Sequence, residues 1–364
     1  MSGLWLRGVL RRPARVLGTA AGIALTVALL AALGAFLAAS AATMTARALT
    51  ALPVDWQIVL LPGTDAAPVT AALGQATGYT ALAPVGYADT AGFAARTGDS
   101  VQTTGPGQAL GLPPGYAAQF PGQIRPLIGA PDGVVLAQQT AANLHVAPGD
   151  TITMTRIGLP AVVVQVAGIV DLPNADALFQ AVGVPAGAAP QAPPDNVVLL
   201  PEAIWHQLFD AQAAARPDSV RRQLHVRLRH DLPADPAAAF TVVQERAHNL
   251  EARIAGSGLV GDNLGARLAG VRADSLYARV LFLFLGAPGA ILAALITVAV
   301  AAAGAERRRQ EQALLRTRGA GIGTILRLAG LEALVAGGLG VIGGLALAGG
   351  ALAILLPGAV AWLG

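Results

Sequence analysis

Three long runs of apolar residues divide the chain into membrane segments and an extramembrane region. They cover residues 16–46, 280–305 and 328–363; the first two carry no charge, and the third holds one ionisable residue, Glu332. At about 1.5 Å per residue in a helix, each run is long enough to cross a hydrocarbon core of roughly 30 Å. The pattern therefore predicts three transmembrane helices.

A cleaved secretory signal peptide is the alternative interpretation of the first run. Four arginines precede the run, and the small residues at 37–42 resemble a cleavage site. The uncharged stretch, however, is about twice the length of a signal-peptide core of about 7–15 residues. We therefore expect a retained helix.

The region between the first two runs shows mixed strand and helix periods. We predict strands at 54–61, 79–88, 196–200 and 223–229, helices at 66–76, 201–215 and 236–256, and a hairpin turn at 158–160. Residues 264–277 have a helical period that leads into the second apolar run, so one nearly continuous helix is expected there. The predicted fold class is a membrane α-helical protein with a large α+β extracytoplasmic domain inserted between helices one and two.

This organisation gives a set of predicted boundaries. They are a basic N-terminal segment at 1–15, helix one at 16–44, the α+β domain at 45–278, helix two at 279–305, a loop at 306–327, helix three at 328–356 and an outer stub at 357–364.

The placement of charge predicts the orientation in the membrane. Residues 1–15 hold four arginines and no acid, and residues 306–327 hold six arginines and two glutamates. Short loops rich in basic residues stay in the cytoplasm. We therefore predict a multi-pass protein of the bacterial cytoplasmic membrane, with the N-terminus inside and the large domain outside. The basic residues flank the predicted spans, so nucleic acid is not an expected partner despite a pI near 9.9.

Composition excludes several chemistries. All 24 basic residues are arginine, typical of a G+C-rich bacterial genome, so the phosphate-binding motif G-x-x-x-x-G-K-[ST] is absent. The chain also has no cysteine. His225 and His230 lie on a predicted strand and its turn, where they would point in different directions, so we expect surface roles and no metal site. We predict no catalytic residue, no cofactor and no enzymatic activity.

A specific motif lies between the second and third apolar runs. It reads Glu306-Arg-Arg-Arg309, Ala313-Leu-Leu-Arg316, Gly319-Ala320 and Leu331-Glu-Ala-Leu334. With this spacing the chain resembles the FtsX-like ABC transporter permease family, which includes MacB-type and lipoprotein-releasing permeases. Looser matches occur at 133–136, 148–151 and 166–170.

The resemblance implies a permease subunit of an ABC transporter. A separate cytoplasmic ATP-binding cassette ATPase would bind ATP, and its hydrolysis would move an outer domain that handles a lipid, lipoprotein, peptide or drug. The 306–327 segment would be the coupling helix that contacts this ATPase; residue types alone fit a plain connecting loop equally well. The predicted coupling residues are Glu306, Arg307, Glu311, Leu314, Leu315, Arg316, Arg318 and Gly319.

The third apolar run adds an intramembrane charge and a strip of small residues. Glu332 lies near the start of the predicted span, where it can pair with Arg327; a proton relay is the alternative. Glycines 337, 338, 340, 343 and 344 suit close packing at a subunit interface. Family members have a further span, so either the sequence is a fragment or a partner chain supplies the rest. Expected partners are a second permease copy or homologous half, membrane lipids and an extracytoplasmic protein or lipoprotein.

Two other functions fit the same layout. One is an ABC-type transmembrane regulator that activates an extracytoplasmic cell-wall hydrolase. The other is a membrane-anchored receptor or adhesin, which the coupling-loop pattern disfavours.

Overall fold

The computed structural model describes residues 13–180, 182, 193–303, 309–310, 313–314, 316–317 and 321–355. Met44–Arg272 form one compact unit, the ectodomain, and the described residues outside this range form a second, helical unit. The helices are α1 (Pro13–Ala51), α2 (Ala66–Ala76), α3 (Tyr116–Gln119), α4 (Gln138–Leu144), α5 (Ala175–Leu178), α6 (Glu202–Ala215), α7 (Pro236–Arg253), α8 (Asn263–Ala303) and α9 (Ile322–Leu355). The strands are β1 (Trp56–Leu60), β2 (Tyr79–Thr97), β3 (Ser100–Thr103), β4 (Gly107–Leu112), β5 (Arg125–Gly129), β6 (Val135–Ala137), β7 (Thr151–Arg156), β8 (Val162–Gln165), β9 (Gly168–Asp171), β10 (Val197–Pro201), β11 (Val220–Leu228) and β12 (Gly258–Asp262).

Helices α1, α8 and α9 are long and apolar enough to cross a membrane. The mixed α/β domain lies in sequence between the first and second of them, which confirms the predicted fold class. Helix α8 is unbroken from Asn263 to Ala303 although it contains Pro288, so the expected continuous helix is present. The bilayer boundaries within these helices remain predictions.

The described part of the ectodomain contains one mixed sheet of twelve strands. Its main path runs β12-β1-β11-β2-β4-β10-β6-β9-β5, and β3, β7 and β8 extend it beside β2. Strands β1 and β2 both pair with β11 in antiparallel fashion, so the β-α-β segment predicted from the sequence is split by a strand from far along the chain. The predicted hairpin around Gly158 is present between β7 and β8.

Strand β2 is about twice as long as predicted. Its first half pairs with β11 and β4, and its second half pairs with β3 and β7 after an irregularity between Thr90 and Gly92. Gly92 has a φ of 154°, which glycine adopts readily. The chain thus stays extended while it changes partners.

Three apolar clusters surround the sheet. One lies under α2 and α7 and includes Trp56, Ile58 and Leu224. A second lies under α4 and α6. The third covers the other face, because alternate residues of β2 and β10 belong to it together with side chains of α3 and α5. Much of the sheet is therefore covered on both faces.

In the helical unit, glycines let the helices approach closely. A Cβ at Gly340 would lie 2.9 Å from the carbonyl oxygen of Ala20, and one at Gly344 would lie 2.7 Å from that of Ala24. Gly22 faces Thr297, whose hydroxyl lies 3.3 Å from that of Thr26. Two members of the predicted glycine strip thus pack against α1 of the same chain, because small residues four apart form a groove for another helix.

Candidate functional site

The predicted coupling residues lie mostly outside the described residues. This applies to Glu306, Arg307, Glu311, Leu315, Arg318 and Gly319. Leu314 and Arg316 are helical and exposed, and the hydroxyl of Thr317 donates a hydrogen bond of 2.9 Å to the carbonyl oxygen of Leu314. The role of this segment remains a prediction.

Glu332 lies within α9 and is partly buried. Because this helix begins at Ile322, the carboxyl group lies about three turns from the first residue. Its depth in the predicted span, which was expected to start at residue 328, remains a prediction. Its function is likewise a prediction.

The described structure shows a site at the points where the chain enters and leaves the ectodomain. Ala48, near the end of α1, and Leu264 and Leu268, in the first turns of α8, are buried in the same apolar cluster. Both helix segments therefore form part of the ectodomain core. We call the first residues of α8, from Asn263 to Leu268, the helix root.

Asp262 caps the helix root. Its Oδ1 accepts a hydrogen bond of 2.7 Å from the backbone N–H of Gly265 and one of 2.9 Å from Nε1 of Trp56, which is fully buried. Aspartate before the first helical residue satisfies a backbone N–H that has no partner within the helix. A Cβ at position 265 would lie 2.1 Å from Oδ2 of Asp262, so any larger residue there would displace the Asp262 carboxylate.

Burial makes Asp262 a weaker acid than an ordinary aspartate. Removal from water raises its pKa from 3.8 to about 6, although the hydrogen bonds from Gly265 and Trp56 act in the opposite direction. The nearby negative charges of Asp55 and Glu251 add to the increase. The folded ectodomain therefore holds a proton on Asp262 between about pH 6 and pH 4, where the unfolded chain does not.

We expect Asp262→Asn to stabilise the protein at pH 8 by about 1–3 kcal/mol, since an amide keeps the acceptor oxygen without a buried charge. In the wild type, the buried carboxylate destabilises the fold at high pH, and this cost disappears as Asp262 takes up a proton between about pH 6 and pH 4. The advantage of the variant should therefore vanish near pH 4. Thermal denaturation of both proteins in detergent at several pH values measures the difference. An advantage that is equal at pH 8 and pH 4 would contradict the expectation.

Asp55 joins three elements at the same place. Its Oδ2 accepts hydrogen bonds from the backbone N–H of Leu228 at 2.7 Å and from Nε2 of His230 at 2.9 Å. Its backbone carbonyl accepts the N–H of Leu264, in the helix root, at 3.1 Å. The fully buried carboxylate thus ties the start of β1 to the end of β11, and the backbone carbonyl of the same residue ties it to α8.

Asn263 connects the helix root to the short helix α5. Its Nδ2 donates to the carbonyl oxygens of Val54 and Ala177, both at 3.0 Å. The side-chain amide of Gln57 donates to the same Ala177 oxygen. The beginning of α8 is therefore fixed by polar contacts on one side and by apolar packing on the other.

The expected surface role of His225 is wrong. The imidazole is fully buried, with Nδ1 2.8 Å from the hydroxyl of Tyr116 and Nε2 3.1 Å from that of Tyr87. Since Tyr87 donates its proton to the carbonyl oxygen of Leu178 at 2.9 Å, Nε2–H donates to Tyr87 and Nδ1 accepts from Tyr116. Burial lowers the pKa of His225 to about 3, so the ring is neutral. The prediction failed because both faces of β11 are covered at this point.

One signal of the helix root was present in the sequence. Asp262 and Asn263 come directly before the helical period, and these residue types favour helix N-termini. Their contacts with Trp56, Val54 and Ala177 join positions far apart in the chain, which no local pattern indicates. Among the described residues, no group of three or more His, Asp or Glu side chains is placed to hold a metal ion.

Comparison with known proteins identifies the family. The family described as the MacB-like periplasmic core domain matches residues 16–241, which include the first candidate span and most of the ectodomain. No curated protein matches the chain. The family is that of FtsX- and MacB-like permeases of ABC transporters, which agrees with the three apolar helices and the inserted α/β domain. The chain therefore belongs to the MacB-like periplasmic core domain family and is a membrane protein of the ABC permease type with an extracytoplasmic domain.

Proposed function

We propose that this permease couples ATP hydrolysis in a separate cytoplasmic ATPase to movement of the ectodomain, which handles a lipid, lipoprotein, peptide or drug. The observation that carries the proposal is the continuity of α8, which runs unbroken from the buried helix root to Ala303. A helix of this length spans about 60 Å. It ends just before the arginine-rich segment that is predicted to contact the ATPase.

A helix transmits displacement only if its end is held firmly. The root of α8 meets this condition, since Leu264 and Leu268 are fully buried and Asp262 caps the first turn. Densely packed cores deform little under load. Motion applied at the far end of α8 would therefore reach the sheet of the ectodomain.

The proposed orientation places residues 1–15 and 306–327 in the cytoplasm and the ectodomain outside. The arginines of these two segments support it, because basic loops are retained on the cytoplasmic side. The ATP would be bound by the partner, since this chain has no lysine for a phosphate-binding loop. The proposed chain is thus a transmission subunit without nucleotide chemistry of its own.

The test replaces Leu314 and Leu315 together with aspartate. Leu314 is 60% exposed and helical, as expected for a residue that contacts a partner. The double variant should lose co-purification with the ATPase and most of the ATPase stimulation by the permease, because two charges replace apolar contacts. Gln310→Asp, at an exposed helical position of the same segment, is the matched control and should retain both. Normal stimulation and co-purification in the double variant would refute the proposal.

A further inference from the structure

A cleft of about 230 Å³ opens on the ectodomain between the first turns of α2 and α6. It lies across β1, β11, β2 and β4, and all of its lining residues belong to the ectodomain. Asp65 and Glu202 line it from the two helices, and Arg222 lines it from the sheet. The helix root is not part of it.

The apolar wall of the cleft is rigid. Trp205 is almost fully buried, and its Nε1 donates to the carbonyl oxygen of Ala109 at 3.0 Å. Its ring lies against Gly86 and Gly111, where any Cβ would approach a ring atom to 2.6 Å or less. Leu60 adds a further apolar surface. A ligand therefore meets a wall that is already formed.

The basic side chains that line the cleft already have an acidic partner. Arg222 is the permanent cation among the lining residues, and its Nη2 lies 3.8 Å from Oδ1 of Asp210. The same oxygen lies 2.8 Å from Nδ1 of His206. Arg222 and His206 therefore already face a carboxylate that is not part of the cleft lining.

The two carboxylates that line the cleft lack a close basic partner among the described residues. Asp65 caps α2 through Oδ1, which accepts from the N–H of Ala67 at 3.1 Å, and its Oδ2 has no hydrogen bond among the described residues. Glu202 lies in the first turn of α6, and its nearest basic atom is Nε2 of His206 at 4.0 Å. The lining thus carries two carboxylates and one arginine, and that arginine already faces Asp210, so the cleft has capacity for an added cation.

We propose that this cleft binds an alkylammonium or guanidinium group on a short apolar arm. The cation pairs with Asp65 and Glu202, and the arm packs beside Trp205 and Leu60. Free amines and the lysine or arginine side chains of an extracytoplasmic polypeptide share this chemistry. The proposal concerns the ectodomain and holds or fails independently of ATPase coupling.

The experiment is isothermal titration calorimetry on the full chain in detergent, with agmatine as the cation and glutarate as an anion of similar length. We expect saturable binding of agmatine with a Kd of about 1 mM that weakens as salt is added, and no binding of glutarate. The peptide acetyl-Gly-Arg-Gly-amide distinguishes the sources: tighter binding than agmatine indicates a polypeptide, and weaker binding indicates a free amine.

Two conservative variants connect the binding to the cleft. Asp65→Asn keeps a good helix cap, and Glu202→Gln keeps size and polarity, so both should fold. Each should weaken agmatine binding at least about fivefold, and together they should abolish it. Asp218→Asn removes an exposed carboxylate outside the cleft lining and should change nothing. No saturable binding of either cation, equal binding of glutarate, or full binding by the double variant would overturn the proposal.

Discussion

Four glycines inserted between Arg272 and Ala273 are expected to abolish the coupled function while the ectodomain stays folded. The insertion lies within α8, where the ectodomain ends and the helical unit continues. Each glycine costs a helix about 1 kcal/mol, so four of them replace a rigid connection with a flexible one. ATPase-driven export or release in cells carrying the complex should fall at least about tenfold, to the level of an ATPase-dead complex.

The control is the same insertion between Gly98 and Asp99, in the exposed turn that joins β2 to β3. Surface turns tolerate insertion, so activity should remain near that of the wild type. Tryptophan fluorescence and thermal denaturation in detergent establish that the ectodomain folds in both variants. Undiminished activity after the insertion in α8 would show that force reaches the ectodomain by another route.

Gly111→Ala should destabilise the ectodomain by about 2–4 kcal/mol. The added Cβ would lie 2.4 Å from Cγ of Trp205, a side chain with almost no freedom to move because it is buried and hydrogen-bonded. Chemical denaturation of the full chain, followed by tryptophan fluorescence, gives the change in the free energy of unfolding.

Gly74→Ala is the matched control for this substitution. Nothing lies within 4 Å of a Cβ at Gly74, and the residue is in α2, so alanine should raise stability by up to about 1 kcal/mol. Equal effects of the two substitutions would show that the packing of Trp205 does not restrict position 111.

The sequence predicted the positions of helices and strands better than it predicted which strands pair with each other. The helical periods at 66–76 and 201–215 match α2 and α6 closely, because one buried face is enough to reveal a helix. The pairing of β1 with β11 joins residues far apart in the chain and left no local sign. Alternation along a strand shows which residues share a face, but it does not show what covers that face.

His225 and Asp262 illustrate the same limit for polar residues. His225 was expected at the surface and Asp262 was given no role, since histidine and aspartate are mostly exposed. Segments far away in the chain bury both side chains. Tyr87 and Tyr116 contact His225, and Trp56 contacts Asp262. The predicted coupling residues, in contrast, belong to a motif that is visible in the sequence, and six of the eight lie outside the described residues.

The close contact at the helix root makes positions 262 and 265 epistatic. An alanine at 265 collides with a carboxylate oxygen of Asp262, and this collision disappears once position 262 carries a smaller side chain. The effects of Gly265→Ala and Asp262→Ala on stability should therefore be strongly non-additive. Relatives that diverge at one of these positions are accordingly expected to have changed the other as well.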